Sequence, residues 1–186
     1  MNRRHKTILV AAILAMQCLA IGWLVYRYER VVMNGTEFRL KCSAYDPVDL
    51  LRGRYLRIRV THEEVSLSDA EYAYFVQYRE HKDPPYAKLE PRNDGSGIYS
   101  VTEISYTPGD QGLWVRPRSY SVYSEVLIFP DQLFVNEKTA SAAESILWDN
   151  PDNAVAVYRT LDQDVVLVDI EINGKSIRDA VNSRSE

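Results

Sequence analysis

The sequence predicts a mainly β (α+β) protein: a single N-terminal transmembrane helix followed by one antiparallel β-rich domain with one internal helix. Three observations carry this. An uncharged run of nineteen residues, ILVAAILAMQCLAIGWLVY, lies over 8–26. Beyond it, apolar and polar residues alternate with a period of two, the signature of half-buried strands. One stretch near residue 140 instead places its apolar residues at helical spacing. The organisation is a cytoplasmic tip and membrane anchor over 1–30 and an external domain over 31–186.

As a helix rising about 1.5 Å per residue, the 8–26 run is roughly 28 Å long, close to the hydrocarbon thickness of a bilayer. Gln17 is its one strongly polar residue, and Trp23 and Tyr26 sit where aromatic rings prefer the interface. Arg3, Arg4 and Lys6 give residues 1–7 a charge of +3, whereas Arg27, Glu29 and Arg30 leave 27–30 at +1. The positive-inside rule puts the N-terminus in the cytoplasm and the domain outside, in the periplasm if the source is bacterial. Two readings compete: a signal peptide cleaved after Ala20, and a buried core helix. The run continues through Gly22-Trp23-Leu24-Val25 past any such junction, and a core helix needs a larger surrounding domain. An uncleaved signal anchor is the expectation.

Phe38, Leu40, Cys42 and Ala44 alternate with Arg39, Lys41 and Ser43; Leu56, Ile58 and Val60 alternate with Tyr55, Arg57 and Arg59. Further strands are expected over 74–78, 98–106, 113–115, 122–129, 154–160 and 165–172, although 69–79 fits either period. Asp83-Pro84-Pro85, Asp94-Gly95-Ser96-Gly97, Pro108-Gly109-Asp110 and 161–164 break the pattern. Residues 79–97 read as the longest exposed loop. A helix is expected over 139–148, with Ala140, Ala143 and Leu147 on one face. Thr139, or Ser141 paired with Glu144, is its N-cap, and Asn150-Pro151 is its stop. Asn173-Gly174 predicts a type I′ turn into a short last strand at Ser176-Ile177.

Charge and composition exclude several classes. The chain has 186 residues, a net charge of −4 and a pI near 5.5, which argues against a globally basic nucleic-acid binder. Residues 31–186 hold 17 basic against 25 acidic residues, a net −8. Basic side chains gather early, at Arg39, Lys41, Arg52, Arg54, Arg57 and Arg59, and residues 124–186 carry twelve Asp/Glu against five Lys/Arg. The basic strip is expected to pair with the acidic C-terminal half; contact with anionic lipid is the competing reading. Cys18 lies in the span and Cys42 on a buried strand face, so Cys42 reads as an inert thiol, an intermolecular disulfide being the minor alternative. His5, His62 and His81 show no zinc-ligand spacing, and no P-loop, GxGxxG, GxSxG or HExxH occurs. No sequence motif calls for a cofactor or metal.

Two segments are chemically dense. DPVDLLRGRYLRI offers Asp46, Asp49, Arg52, Gly53, Arg54 and Tyr55 at a strand–turn–strand corner, where Asp and Gly also serve a turn. FPDQLFVNEKTASAAE offers Asn136, Glu137 and Glu144, where capping of the helix is the plain reading. These segments resemble the GDYXXLXY proteins, an uncharacterised bacterial family. AVAVYRTLDQDVVLVDIEINGKSI extends the resemblance to the family's closing strands, so that it covers residues 37–178. The eponymous motif aligns as Gly53-Arg54-Tyr55-Leu56-Arg57-Ile58-Arg59-Val60, with Asp replaced by Arg54, Leu by Ile58 and the final Tyr by Val60. The resemblance implies an anchored external domain in the bacterial inner membrane. It implies no assigned activity. Members are often encoded beside multi-pass membrane proteins, which implies a partner of that kind.

The function expected is therefore that of a membrane-anchored binding or accessory subunit presenting Asp46–Tyr55 and Asn136–Glu144 to a partner, with no small-molecule ligand indicated. The alternative is an envelope hydrolase, in which Asp46, Asp49 or Glu137 is the general base and Arg52 or Arg54 binds an anionic group.

Overall fold

The computed structural model describes residues 3–45, 55–60, 67–68, 70–73, 83–121 and 126–184. Its first element, α1 (Arg3–Asn34), is a helix of 32 residues. Over Thr7–Asn34 it is long and apolar enough to cross a membrane, and none of its most apolar window packs on the domain. At its C-terminal end Val31 is buried. A single residue, Gly35, separates α1 from β1 (Thr36–Ala44), and its N–H donates to Val31 O at 2.8 Å.

The remaining strands are β2 (Tyr55–Val60), β3 (Tyr86–Pro91), β4 (Tyr99–Ser105), β5 (Leu113–Val115), β6 (Ser119–Ser121), β7 (Val126–Ile128), β8 (Gln132–Phe134), β9 (Ala154–Leu161), β10 (Asp164–Ile172) and β11 (Lys175–Ser176). Among the described residues there are two further helices, α2 (Glu137–Asp149) and α3 (Ile177–Arg184), and residues 70–73 are also helical. The main sheet has the order β11-β10-β9-β1-β2-β8 and is antiparallel in every pairing. It curls into a half-barrel, bringing some Cα atoms of β8 within 8 Å of β10 although the two strands share no ladder. A three-stranded sheet β4-β3-β5 and the β6–β7 ribbon complete the described sheets.

Alternation explains the core. Phe38, Leu40 and Cys42 of β1 and Leu56 and Ile58 of β2 point inward, joined by Ala156 and Tyr158 of β9 and Leu167 and Ile170 of β10. Phe38 lies opposite Tyr158 in the ladder and stacks on it at 5.3 Å, and Phe129 meets both rings at 6.4 and 5.8 Å. The buried Tyr158 hydroxyl donates to Pro130 O at 2.9 Å, satisfying the polar end of an otherwise apolar ring. Helix α2 lays Ala140, Ala143, Ile146 and Leu147 into this core and packs on β1 and β2.

The strands expected over 98–106, 113–115, 154–160 and 165–172 are present, each within a residue or so. Asn173 and Gly174 have φ of 52° and 75°, as the expected turn requires. Within the strand expected over 122–129, β7 spans 126–128 and 122–125 lie outside the described residues. Three features differ. Residues 79–97 do not form one exposed loop, because β3 lies within it and buries Tyr86, Ala87 and Leu89 behind Pro84-Pro85. Helix α2 begins two residues earlier than expected, so Asn136 rather than Thr139 or Ser141 holds the cap position. The last strand stops at Ser176, and α3 follows, burying Ile177 and Val181. The expected strand over 74–78 lies outside the described residues; the helical 70–73 carries a capping box, Ser68 Oγ donating to Glu71 at 2.8 Å and Glu71 N–H to Ser68 Oγ at 3.4 Å.

Cys42 is 2% exposed, and burial pushes its thiol up to about 12. Burial of this depth shields the thiol from disulfide exchange in the folded state. A membrane-impermeant maleimide should therefore leave Cys42 unmodified in the native protein and label it only after denaturation, read by mass shift. A second prediction concerns Gly35. A Cβ there would stand 2.5 Å from Val31 O and 3.0 Å from Thr160 O, both backbone atoms. Gly35→Ala should cost about 1–3 kcal/mol, the usual penalty for overpacking. The detergent-solubilised full chain would show this as a lower Tm, with Gly22→Ala, which meets nothing within 4 Å, as the control.

Candidate functional site

The two dense sequence segments meet in the sheet. Tyr55, Leu56 and Arg57 of β2 pair with Phe134, Leu133 and Gln132 of β8, so residues more than seventy positions apart form one edge of the half-barrel. The pairing continues through Asp131, whose carbonyl accepts the Ile58 N–H at 3.0 Å and whose Oδ2 accepts from Arg57 Nε at 2.9 Å. Arg118 approaches the other carboxylate oxygen at 3.6 Å. The hydrogen bond to Asp131 raises the Arg57 guanidinium above its ordinary value. Arg57 and Arg59 also lie over the Tyr45 ring, at 5.0 and 4.5 Å.

Of the residues expected at the site, Tyr55 is half-buried and meets Phe134 edge-on at 6.2 Å. Asn136 caps α2, its carbonyl accepting the Thr139 N–H at 3.0 Å and hydroxyl at 3.1 Å. Glu137 opens that helix, and Glu144 sits half-buried one position past the inward-facing Ala143. Asp46, Asp49, Arg52, Gly53 and Arg54 lie outside the described residues, as does the side chain of Glu137, so the convergence that a hydrolase requires falls there too.

Asp131, Arg118 and Tyr45 escaped the sequence reading. The available signal was Pro130-Asp131 at the entrance to a strand: an acid placed there is fixed by the proline and can reach the neighbouring strand. Two members of the basic strip, Arg39 and Arg57, reach acidic residues of the C-terminal half, while Arg52 and Arg54 lie outside the described residues. Arg39 meets Glu37 at 2.8 Å and Glu171 at 3.5 Å, and Arg57 meets Asp131.

A second polar concavity, about 440 Å³, is lined by Glu71, Asp83, Tyr106 and Arg116 among others. Arg116 stacks over Tyr86 at 4.6 Å and donates to its hydroxyl at 3.0 Å, with Asp83 at 3.8 Å. Glu71 accepts from Ser105 Oγ at 2.6 Å, Ser68 Oγ at 2.8 Å and the Tyr106 N–H at 3.1 Å. Burial alone would raise its carboxyl, but these donors outweigh burial and hold it below the usual carboxylate value. A carboxylate so held is a weak base; its role is to fasten residues 68–73 to the end of β4. Among the described residues no group of three or more His, Cys, Asp or Glu is placed to hold a metal ion.

Two predictions follow from these contacts. Asp131→Asn should cost about 1 kcal/mol, at the low end for a charged hydrogen bond because Arg57 can turn to solvent. It should leave the β2–β8 register intact, since the Ile58 N–H bonds the unchanged carbonyl; Tm and hydrogen exchange at Ile58 would report both. Because the folded Glu71 carboxyl lies below its unfolded value, its stabilisation is complete above about pH 4.3 and disappears as pH falls through the folded pKa. The difference in Tm between the native chain and Glu71→Gln should thus shrink from pH 7 toward pH 3.

No curated protein and no solved structure matches the chain significantly. The family model described as GDYXXLXY protein matches residues 17–178, from within α1 to the second residue of α3, and so takes in both dense segments and the sheet edge they form. The chain belongs to the GDYXXLXY family.

Proposed function

We propose that this protein is a single-pass bacterial inner-membrane protein, with its N-terminus cytoplasmic and its β domain periplasmic, that serves as a binding or accessory subunit of a membrane complex containing a multi-pass partner. The observation that carries this reading is the junction between anchor and domain. Arg27 pairs with Asp164, Arg30 with Asp162, and Arg159 donates to the carbonyl of Val32. Together with the one-residue connection at Gly35, these contacts hold the β9–β10 hairpin against the base of α1. A domain meant to capture soluble ligands gains from a flexible tether. A domain held at one height and one angle above the bilayer suits a partner whose own surface is fixed by the same membrane. The −8 charge of residues 31–186 agrees with an external location that does not depend on anionic lipid.

Two measurements test this. A cysteine replacing exposed Lys41 should react with an impermeant maleimide in spheroplasts, Cys42 being buried and Cys18 lying in the span. Crosslinking in native membranes followed by mass spectrometry should recover one multi-pass protein in near-stoichiometric amount. Recovery of the chain alone would overturn the accessory reading, and labelling only after lysis would overturn the orientation.

A further inference from the structure

Among the described residues the half-barrel stops one strand short of closing. Adjacent strands lie about 4.8 Å apart, so in a ring of six curled strands the next-but-one neighbours are separated by about 8 Å. The strands β10-β9-β1-β2-β8 provide five, and the two outermost approach to that separation without hydrogen bonding to each other. A groove of about 250 Å³ lies between them, with Leu133 and Phe134 on one wall and Val165 to Val168 on the other. On the groove side β8 has no ladder partner among the described residues, and β11 covers only Glu171 and Ile172 of β10. The Val165–Val168 edge carries neither Lys nor Pro, the usual protection of an exposed strand edge.

We propose that this seam receives an extended segment of the membrane partner, which adds as the sixth strand; the inference rests on the accessory reading above. Three features specify the segment. β8 and β10 run in the same direction, that of β1, away from the membrane anchor, so a strand antiparallel to both runs toward the bilayer. That is the direction of an extracytoplasmic stretch leading into a transmembrane span. It is opposite to the direction in which a second copy of this chain leaves the membrane through β1. Tyr28, two residues beyond the apolar run, lines the groove, so the segment lies next to the membrane surface. Among the described residues Arg178 is the one charged residue lining it and has no ion-pair partner, and it follows β11 at the membrane-distal end. The segment is therefore four or five residues long, alternately apolar, with an acidic residue at its N-terminal end; backbone ladder bonds give affinity and the alternate side chains specificity.

A photo-crosslinking residue placed at Phe134, which is 72% exposed, and separately at Val166, in the full-length protein in native membranes, tests this, with Trp148 on α2 as the control position. Both seam positions should crosslink, several-fold above Trp148, to one membrane protein, and the modified peptide should immediately precede one of its spans. Crosslinks to that protein from Trp148 but not from the seam would overturn the inference while sparing the accessory reading. Adducts with lipid or with a second copy as the sole seam products would overturn it as well. Absence of any protein adduct from all three positions would overturn both. Because Phe134 points into solvent, its replacement does not endanger the fold, and Arg178→Glu should reduce the Phe134 crosslink without lowering Tm.

Discussion

The whole β-rich domain depends on how the chain leaves α1. Asn34 ends α1 and Thr36 begins β1, so the change from helix to strand occurs at Gly35 alone. There the backbone of α1 and that of β9 come so close that no side chain fits between them. The price of this closeness is small, one glycine, and its consequence is large, because β1 is central in the sheet. With β9 on one side and β2 on the other, its direction sets the direction of every other strand of the sheet relative to α1. The ion pairs of Arg27 and Arg30 with the β9–β10 turn are exposed and individually weak. They act on a hairpin already positioned by the β1–β9 ladder, so they need only resist rocking.

The same geometry explains why two segments far apart in sequence form one unit. Tyr158, opposite Phe38 on β9, spends its hydroxyl on Pro130 O, and the next residue is Asp131. The aromatic core therefore fixes the start of β8 from beneath, while Arg57 fixes it from the sheet surface. Asp131 uses its carbonyl for the ladder and its carboxylate for Arg57. Neither dense segment is a site by itself in the described structure; together they make the edge at which the half-barrel ends.

The parts of this arrangement legible in the sequence are those where one face of a long strand is buried. β1, β9 and β10 have eight or nine residues each, enough for a period of two to emerge, and the Asn173-Gly174 turn announces itself. β8 has three residues, too few for any period, and α3 is a short polar helix that becomes stable only by setting Ile177 and Val181 into the core. β3 was hidden by its neighbours: Pro84, Pro85 and Pro91 with Lys88 and Glu90 read as loop chemistry, although the prolines sit at its start and end, where strands tolerate them. The candidate site was legible as two dense segments but not as one edge, because strand pairing across seventy residues leaves no local pattern.

Charge shows the same passage from sequence asymmetry to local balance. Along the chain, bases come early and acids late. In the sheet β1 and β2 lie between β9 and β8, and the acids that meet their bases come from β10 and from Asp131 just before β8. Arg39 thus finds Glu171 on β10, Arg57 finds Asp131, and Arg159 on β9 turns back to Glu37 at 3.4 Å. Two charges of a strip that looked suited to anionic lipid, Arg39 and Arg57, are thus balanced within the fold itself. Arg178 differs because it follows β11, beyond the last carboxylates of β10, at the end of the sheet where the ladder runs out. Its charge faces the same open groove as the unpaired backbone of β10, so an incoming strand that met one would meet both.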